Sequence, residues 1–275
     1  MTGREREALD GLYALAQRMS EAAQVYEDLW ASEYARAILR ERPDLQALDE
    51  NAAREVFAEF AGDLTPEQKV CAALALVREA GLAKREASAL QTAPAREEYA
   101  CVESRFSPVI SQFFGENANF FRASGFEDAC ERAADGSSDA CLLPTHDGEG
   151  RAIVRTEKLC AEYGLKKRLS LVCEVGDERA TYGLFARELI FCERPDFAEF
   201  SVPGGEENAS IPALLCEKTG FTPWLSTRGG RITVQAAPKT AESFLELLAC
   251  ARLLIDGASL DAMGSALSAI RNPQF

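Results

Sequence analysis

Histidine is nearly absent from this 275-residue chain, in which His146 stands alone. A single imidazole excludes a two-histidine zinc helix, any metal site built on paired histidines and a histidine proton relay. Cations are also scarce: 30 Lys and Arg face 44 Asp and Glu, a formal net charge of −14. Sequence-independent binding to a phosphate backbone needs a cationic surface, so no nucleic acid is expected as a partner. No apolar run approaches the ~18 residues of a membrane span. The N-terminal MTGREREALD is charged from its start, so neither a signal peptide nor a membrane association is expected, and the expected location is cytoplasmic. Closely spaced cysteines are missing as well. The nine cysteines never come nearer than 11 residues, so no CxxC pair exists. Their odd number and apolar settings (VCAALAL, DACLLP, SLVCEV, LLACARLL) read as free, buried thiols in a reducing compartment. Neither a metal nor a cofactor is expected.

What is present suffices for two domains or three small ones, with 47% hydrophobic residues to fill their cores. Leu9, Leu12, Leu15, Ala16, Met19 and Ala23 recur at helical steps. The first breaker is Arg42-Pro43, and a helix of that length implies a bundle. A second helix covers 49–60. Thr65 then reads as an N-cap with Pro66 at the first helical position, opening a third helix that stops at Gly81. A short helix over 84–90 and a linker at 92–94 complete residues 1–93. From 97 to 192, strands at 99–102, 119–122, 139–144, 168–175 and 182–191 alternate with helices at 108–114, 126–134 and 152–163. This predicts an α/β unit with a partly parallel sheet. Residues 196–258 read β-α-β-β-α: a strand at 198–202, a helix at 211–218, strands at 223–227 and 231–236 around a Gly229-Gly230 turn, and a helix at 241–254. A C-terminal helix, 260–270 within 259–275, is expected last. The fold class is therefore α plus α/β with a ferredoxin-like C-terminal unit.

Three motifs occur in order. CVESRFS runs from Cys101 to Ser107, FED follows at 126–128, and DACLLPTHDGEGRAI runs from Asp139 to Ile153. Together they resemble the first lobe of prephenate dehydratases. Glu103, Phe106 and Ser107 match the first motif, whose two glycines are here Cys101 and Ser104. Phe126, Glu127 and Asp128 match the second. Asp139, Pro144 and Gly150 match the third, whose Glu-Asn is here His146-Asp147. ATYGLFAR at 180–187 resembles the family's T-R-F strand, keeping Thr181 but carrying Tyr182-Gly183 for Arg-Phe. The C-terminal block resembles the ACT regulatory unit of those enzymes. The resemblance implies an amino-acid site at Asn208, Ala209, Ser210 and Ile211 with Ser226 and Arg228. The first helix is similar to the chorismate mutase domain fused ahead of dehydratases in bifunctional members. By that resemblance Arg18 binds a substrate carboxylate, Glu33 matches a family glutamate and Gln68 falls on the catalytic glutamine. Leu29 replaces the lysine that contacts the ether oxygen.

The implied catalytic residues are thus Arg18, Glu33, Gln68 and Thr181. Glu103, Ser107, His146 and Asp147 are the implied dehydratase ligand contacts. Plainer roles stand beside each: a solvated Arg18, Gln68 as a helix cap, an exposed loop histidine, Glu103 and Ser107 capping the next helix, and a solvated hairpin at 228–231. Dehydration of prephenate needs an acid and a cleft that excludes water, and the stretch between Gly150 and Thr181 is too short for a second lobe. The expectation is a relative of these phenylalanine-biosynthesis enzymes with weak or lost catalysis. The alternative is a non-catalytic regulatory protein sensing an aromatic amino acid. Either binds a small anion such as chorismate, prephenate or phenylalanine. Family resemblance also implies a homodimer with Leu12, Leu15, Met19, Leu29 and Trp30 between chains.

Overall fold

The computed structural model describes residues 3–90, 97–222, 224–228 and 230–271; nothing is said of side chains at 3–11, 117, 207, 228 and 269–271. The expected linker at 92–94, Gly229 of the turn and residues 272–275 lie outside the described residues. The N-terminal region is helical: α1 (Gly3–Glu41), α2 (Glu50–Phe60), α3 (Pro66–Ala80) and α4 (Leu82–Ala89). Helix α3 starts where the sequence places it. Thr65 Oγ1 accepts from the Gln68 N–H at 3.3 Å, and Gln68 Oε1 accepts from the Thr65 N–H at 3.0 Å, a reciprocal cap. Gly81 at φ 66° ends it. Its VCAALALV stretch is apolar all round, which demands partners on every side, and Val70 through Val77 are buried.

The α/β region follows as β1 (Glu97–Cys101), α5 (Ser107–Phe114), β2 (Ala118–Arg122), α6 (Phe126–Asp135), β3 (Ala140–His146), α7 (Val154–Glu162), β4 (Lys166–Val175) and β5 (Glu178–Ala186). Alternation along the strands sends Tyr99, Leu142, Tyr182 and Leu184 to the face covered by Val109 and Ile110 of α5. Ala100, Cys141, Leu143 and Phe185 go to the opposite face, under α6 and α7.

The last segment holds β6 (Phe197–Pro203), α8 (Glu206–Ala209), α9 (Ile211–Thr219), β7 (Trp224–Arg228), β8 (Arg231–Ala236), α10 (Ala241–Leu254) and β9 (Ser259–Arg271). Residues 259–271 form a strand, which overturns the expected C-terminal helix. Alanine, leucine and methionine favour a helix locally. Here the backbone instead fills a gap between two open strand edges, parallel to β4 and antiparallel to β6. Pairing on both sides outweighs a propensity worth less than about 1 kcal/mol per residue. With β9 the segment completes the β-α-β-β-α-β order of a ferredoxin-like unit, strands ranked β9-β6-β8-β7. The same strand fuses both regions into one nine-stranded sheet, β2-β1-β3-β5-β4-β9-β6-β8-β7.

Helix α10 is buried almost all round because it lies between this sheet and helices α2, α3 and α4. Phe57 and Leu76 of the bundle thereby share one core with Phe200 and Phe244 of the ferredoxin-like unit. Residues 12–26 of α1 stay uncovered. Leu12, Leu15, Met19 and Leu29 are 55–66% exposed, while Trp30 is half-buried and stacks on Tyr34 at 5.4 Å.

Candidate functional site

Strand β1 lies between parallel β2 and β3, and its two crossover helices, α5 and α6, sit on opposite faces. The chain diverges at the carboxyl ends of β1 and β3, the place where open α/β sheets form a crevice. A cleft of ≈ 150 Å³ opens there. Its floor is apolar, from Ile110, Phe120 and Leu142; its polar rim carries Glu103, Ser107 and Arg122. The turn that presents these groups is locked locally. Ser107 Oγ accepts from the Ser104 N–H at 2.9 Å, and the Ser104 hydroxyl lies 2.8 Å from the Tyr182 hydroxyl. Ser107 therefore caps the turn as well as lining the cleft. Glu103 and Arg122 form an ion pair across the mouth. Burial raises the Tyr182 phenol above its ordinary value, and burial followed by the Glu103 charge raises the Cys101 thiol. Both groups are protonated at neutral pH.

A second, wider recess of ≈ 420 Å³ gathers His146, Asp147, Arg179 and Thr181. His146 and Thr181 are cross-strand neighbours in β3 and β5. Thr145 Oγ1 donates to the Thr181 carbonyl at 3.1 Å and lies 3.2 Å from His146 Nδ1. Asp147 shapes the loop, accepting from the Arg151 and Glu149 N–H groups at 2.9 Å each. Those bonds hold its carboxyl below the usual range. Gly183 is forced by packing, since a Cβ there would meet the Phe185 ring at 2.5 Å and the Thr145 methyl at 2.9 Å. By strand alternation Thr181 and Tyr182 point to opposite faces. The structure thus brings His146, Asp147 and Thr181 together, and Glu103 and Ser107 together, but in separate recesses.

The mutase-like residues do not converge on a pocket with one another. Arg18 is exposed on α1. Glu33 pairs on the surface with Arg36 at 2.8 Å and Arg40 at 3.8 Å. The Gln68 amide is committed to its helix cap. The cleft between α1 and α3 is lined instead by Asp28, Arg78, Glu79 and Lys218, the last from α9. In the ferredoxin-like unit, the Gly204 N–H donates to the Gly230 carbonyl at 2.7 Å. That bond brings the loop before α8 to the β7–β8 turn. Asn208 donates to the Pro203 carbonyl at 3.1 Å, Ala209 closes α8, Ser210 caps α9 without a side-chain bond, and Ile211 packs on the core. Ser226 is exposed opposite Thr233, and Arg228 is in register with Arg231.

Sequence reasoning missed Tyr182, Arg122 and Arg179. Tyr182 carried a signal, standing where the dehydratase strand has arginine; Arg122 and Arg179 reach their clefts only through strand pairing.

No protein-family model matches the chain, and no curated protein matches it. Solved structures are similar over about three-fifths of its length. The prephenate dehydratase of Streptococcus mutans is 7% identical with a TM-score of 0.49, covering 62% of this chain and 99% of that one. The prephenate dehydratase of Arthrobacter aurescens in complex with L-Phe is 10% identical with a TM-score of 0.48, covering 61% and 89%. GqqA, a quorum-quenching acylase, is 13% identical with a TM-score of 0.42, covering 61% and 94%.

Proposed function

We propose that this chain is a prephenate dehydratase-like protein of phenylalanine metabolism that has lost turnover and retains binding of a small α-amino acid. The observation that carries the reading is the β1–β3 crevice. An opposed carboxylate and guanidinium, Glu103 and Arg122, flank a floor of Ile110, Phe120 and Leu142. A zwitterion matches such a pair: its ammonium meets Glu103, its carboxylate meets Arg122, and its side chain covers the apolar floor. A dianion such as prephenate matches it poorly, because the rim has no net charge and the protein carries −14.

Loss of turnover follows from what the recesses lack. Dehydration needs a proton donor at the departing hydroxyl and a cleft closed to water. His146 and Thr181 stand on an open recess lined by the loop after β3 and by β5. Mutase chemistry needs cations on two carboxylates and a donor at the ether oxygen. Arg18 is solvated, Gln68 is spent on its cap, and Leu29 cannot donate. The bare apolar stripe of α1 supports a homodimer in which Leu12, Leu15, Met19 and Leu29 meet their equivalents.

Thermal unfolding with and without ligand tests the reading. Phenylalanine at a hundredfold excess over its Kd stabilises by about 2.7 kcal/mol, and both Glu103→Gln and Arg122→Gln abolish the shift. Chorismate and prephenate are not consumed. Turnover of either substrate refutes the loss of catalysis. A shift that survives both substitutions but is lost in Arg228→Gln moves the amino-acid site to the ferredoxin-like unit.

A further inference from the structure

Three cysteines far apart in sequence meet in the core of the α/β region. Cys130 comes from α6, Cys141 from β3 and Cys160 from α7, and their sulfur atoms all lie within 4.8 Å of one another. Cys130 and Cys141 are fully buried and Cys160 is 2% exposed. We propose that Cys130, Cys141 and Cys160 form a three-thiol site for a trivalent thiophile of the arsenite class.

Geometry admits a common partner. Three sulfurs bound to one atom at about 2.3 Å stand at most about 4 Å apart, and somewhat less around a pyramidal trivalent centre, so small side-chain rotations close the triangle. The surroundings decide which partner fits. Ala129, Ala133, Leu143, Leu159 and Phe185 share the cluster, and among the described residues no fourth Cys, His, Asp or Glu joins the three sulfurs. Tetrahedral zinc needs that fourth ligand. Charge points the same way. The charges acting on the trio include the carboxylates of Glu127 on Cys130 and Glu157 on Cys160, and Glu127 is itself paired with Arg155 at 3.0 Å. Three thiolates around zinc leave one buried negative charge, and around a cuprous ion two, each expensive in apolar surroundings. Around a trivalent centre they leave none. The step is a ligand exchange without redox change. Each S–H gives its proton to a departing hydroxide, three arsenic–oxygen bonds break, three arsenic–sulfur bonds form, and three waters leave.

The test refolds the full chain from urea with sodium arsenite and a phosphine reductant, so that burial of the site does not block entry. Native mass spectrometry is expected to show one arsenic per chain with loss of three protons. Arsenic X-ray absorption is expected to show three sulfur neighbours and no oxygen. Cys141→Ala and Cys160→Ala, checked for native circular dichroism, each weaken retention at least tenfold; Cys71→Ala and Cys250→Ala leave it unchanged. Absence of arsenic from the refolded wild type overturns the proposal, as does equal retention by Cys141→Ala and Cys160→Ala. Retained oxygen coordination does so too. Preferential binding of zinc through the same three sulfurs overturns the charge argument and with it the assigned ligand.

Discussion

Replacing Gly264 by alanine separates the two possible states of residues 259–271 by the sign of its effect. In a helix, glycine to alanine stabilises by roughly 1 kcal/mol. In the strand β9 the result reverses. A Cβ on Gly264 would stand 1.7 Å from the Arg168 carbonyl oxygen and 2.5 Å from its carbonyl carbon. These are backbone atoms of β4, so no side-chain rotation relieves the clash, and the strands must part by more than an ångström. The register already shifts here, between Lys167 and Leu169. Overpacking costs about 1–3 kcal/mol, and losing two ladder hydrogen bonds adds about 1 kcal/mol each. The expected destabilisation is therefore about 3–5 kcal/mol, a large part of the 5–15 kcal/mol typical of a folded domain. Urea unfolding followed by far-UV circular dichroism measures it. Gly62→Ala is the control, because nothing lies within 4 Å of its Cβ position and its φ is not positive; it should stay within about 1 kcal/mol of wild type. A Gly264→Ala protein as stable as wild type, or more so, refutes the strand pairing and the fused sheet with it.

Two further outcomes follow from the uncovered helix and from the contact between the bundle and the ferredoxin-like unit. Wild type should sediment as a dimer at micromolar concentration, and the double variant Leu15→Glu, Met19→Glu should be monomeric. Burial of such side chains is worth about 1.5–3 kcal/mol each, so the dimer Kd should rise at least a hundredfold; a monomeric wild type removes the idea. Lys218 of α9 donates to Glu27 of α1 and holds its carboxyl below the ordinary value of 4.5. A depressed native value means the unfolded chain takes the proton first. The pair's contribution is therefore complete above pH 4.5 and is lost as pH falls through the lowered native value. Glu27→Gln should cost less than about 1 kcal/mol at neutral pH and flatten the acid limb of the stability profile. An unchanged acid limb contradicts the pairing.

The sequence by itself determined what neighbours along the chain can enforce. Thr65, Pro66 and Gln68 set the start of α3 and Gly81 its end, because caps act within one turn. The period-two and helical patterns from 97 to 254 located the elements seen there except α8, with the strand read at 182–191 lying instead at Glu178–Ala186, and the all-round apolar α3 and α10 announced burial without naming what buries them. The weakened motifs pointed to Glu103, Ser107, His146, Asp147 and Thr181, each of which lines a recess. What only the tertiary structure decided is non-local. Residues 259–271 read as a helix by composition because the open edges of β4 and β6 that claim them lie some 90 and 60 residues upstream in the chain. Gln68 read as a cap or as a catalytic amide until the Thr65 backbone was seen to hold it. Arg122 and Tyr182 joined Glu103, and Cys130, Cys141 and Cys160 joined each other, through strand pairing and crossover packing. Spacing along a sequence records which residues share a turn of helix or a strand face; it does not record which distant strands will satisfy each other's backbone hydrogen bonds, and that choice assembled both recesses and the thiol cluster.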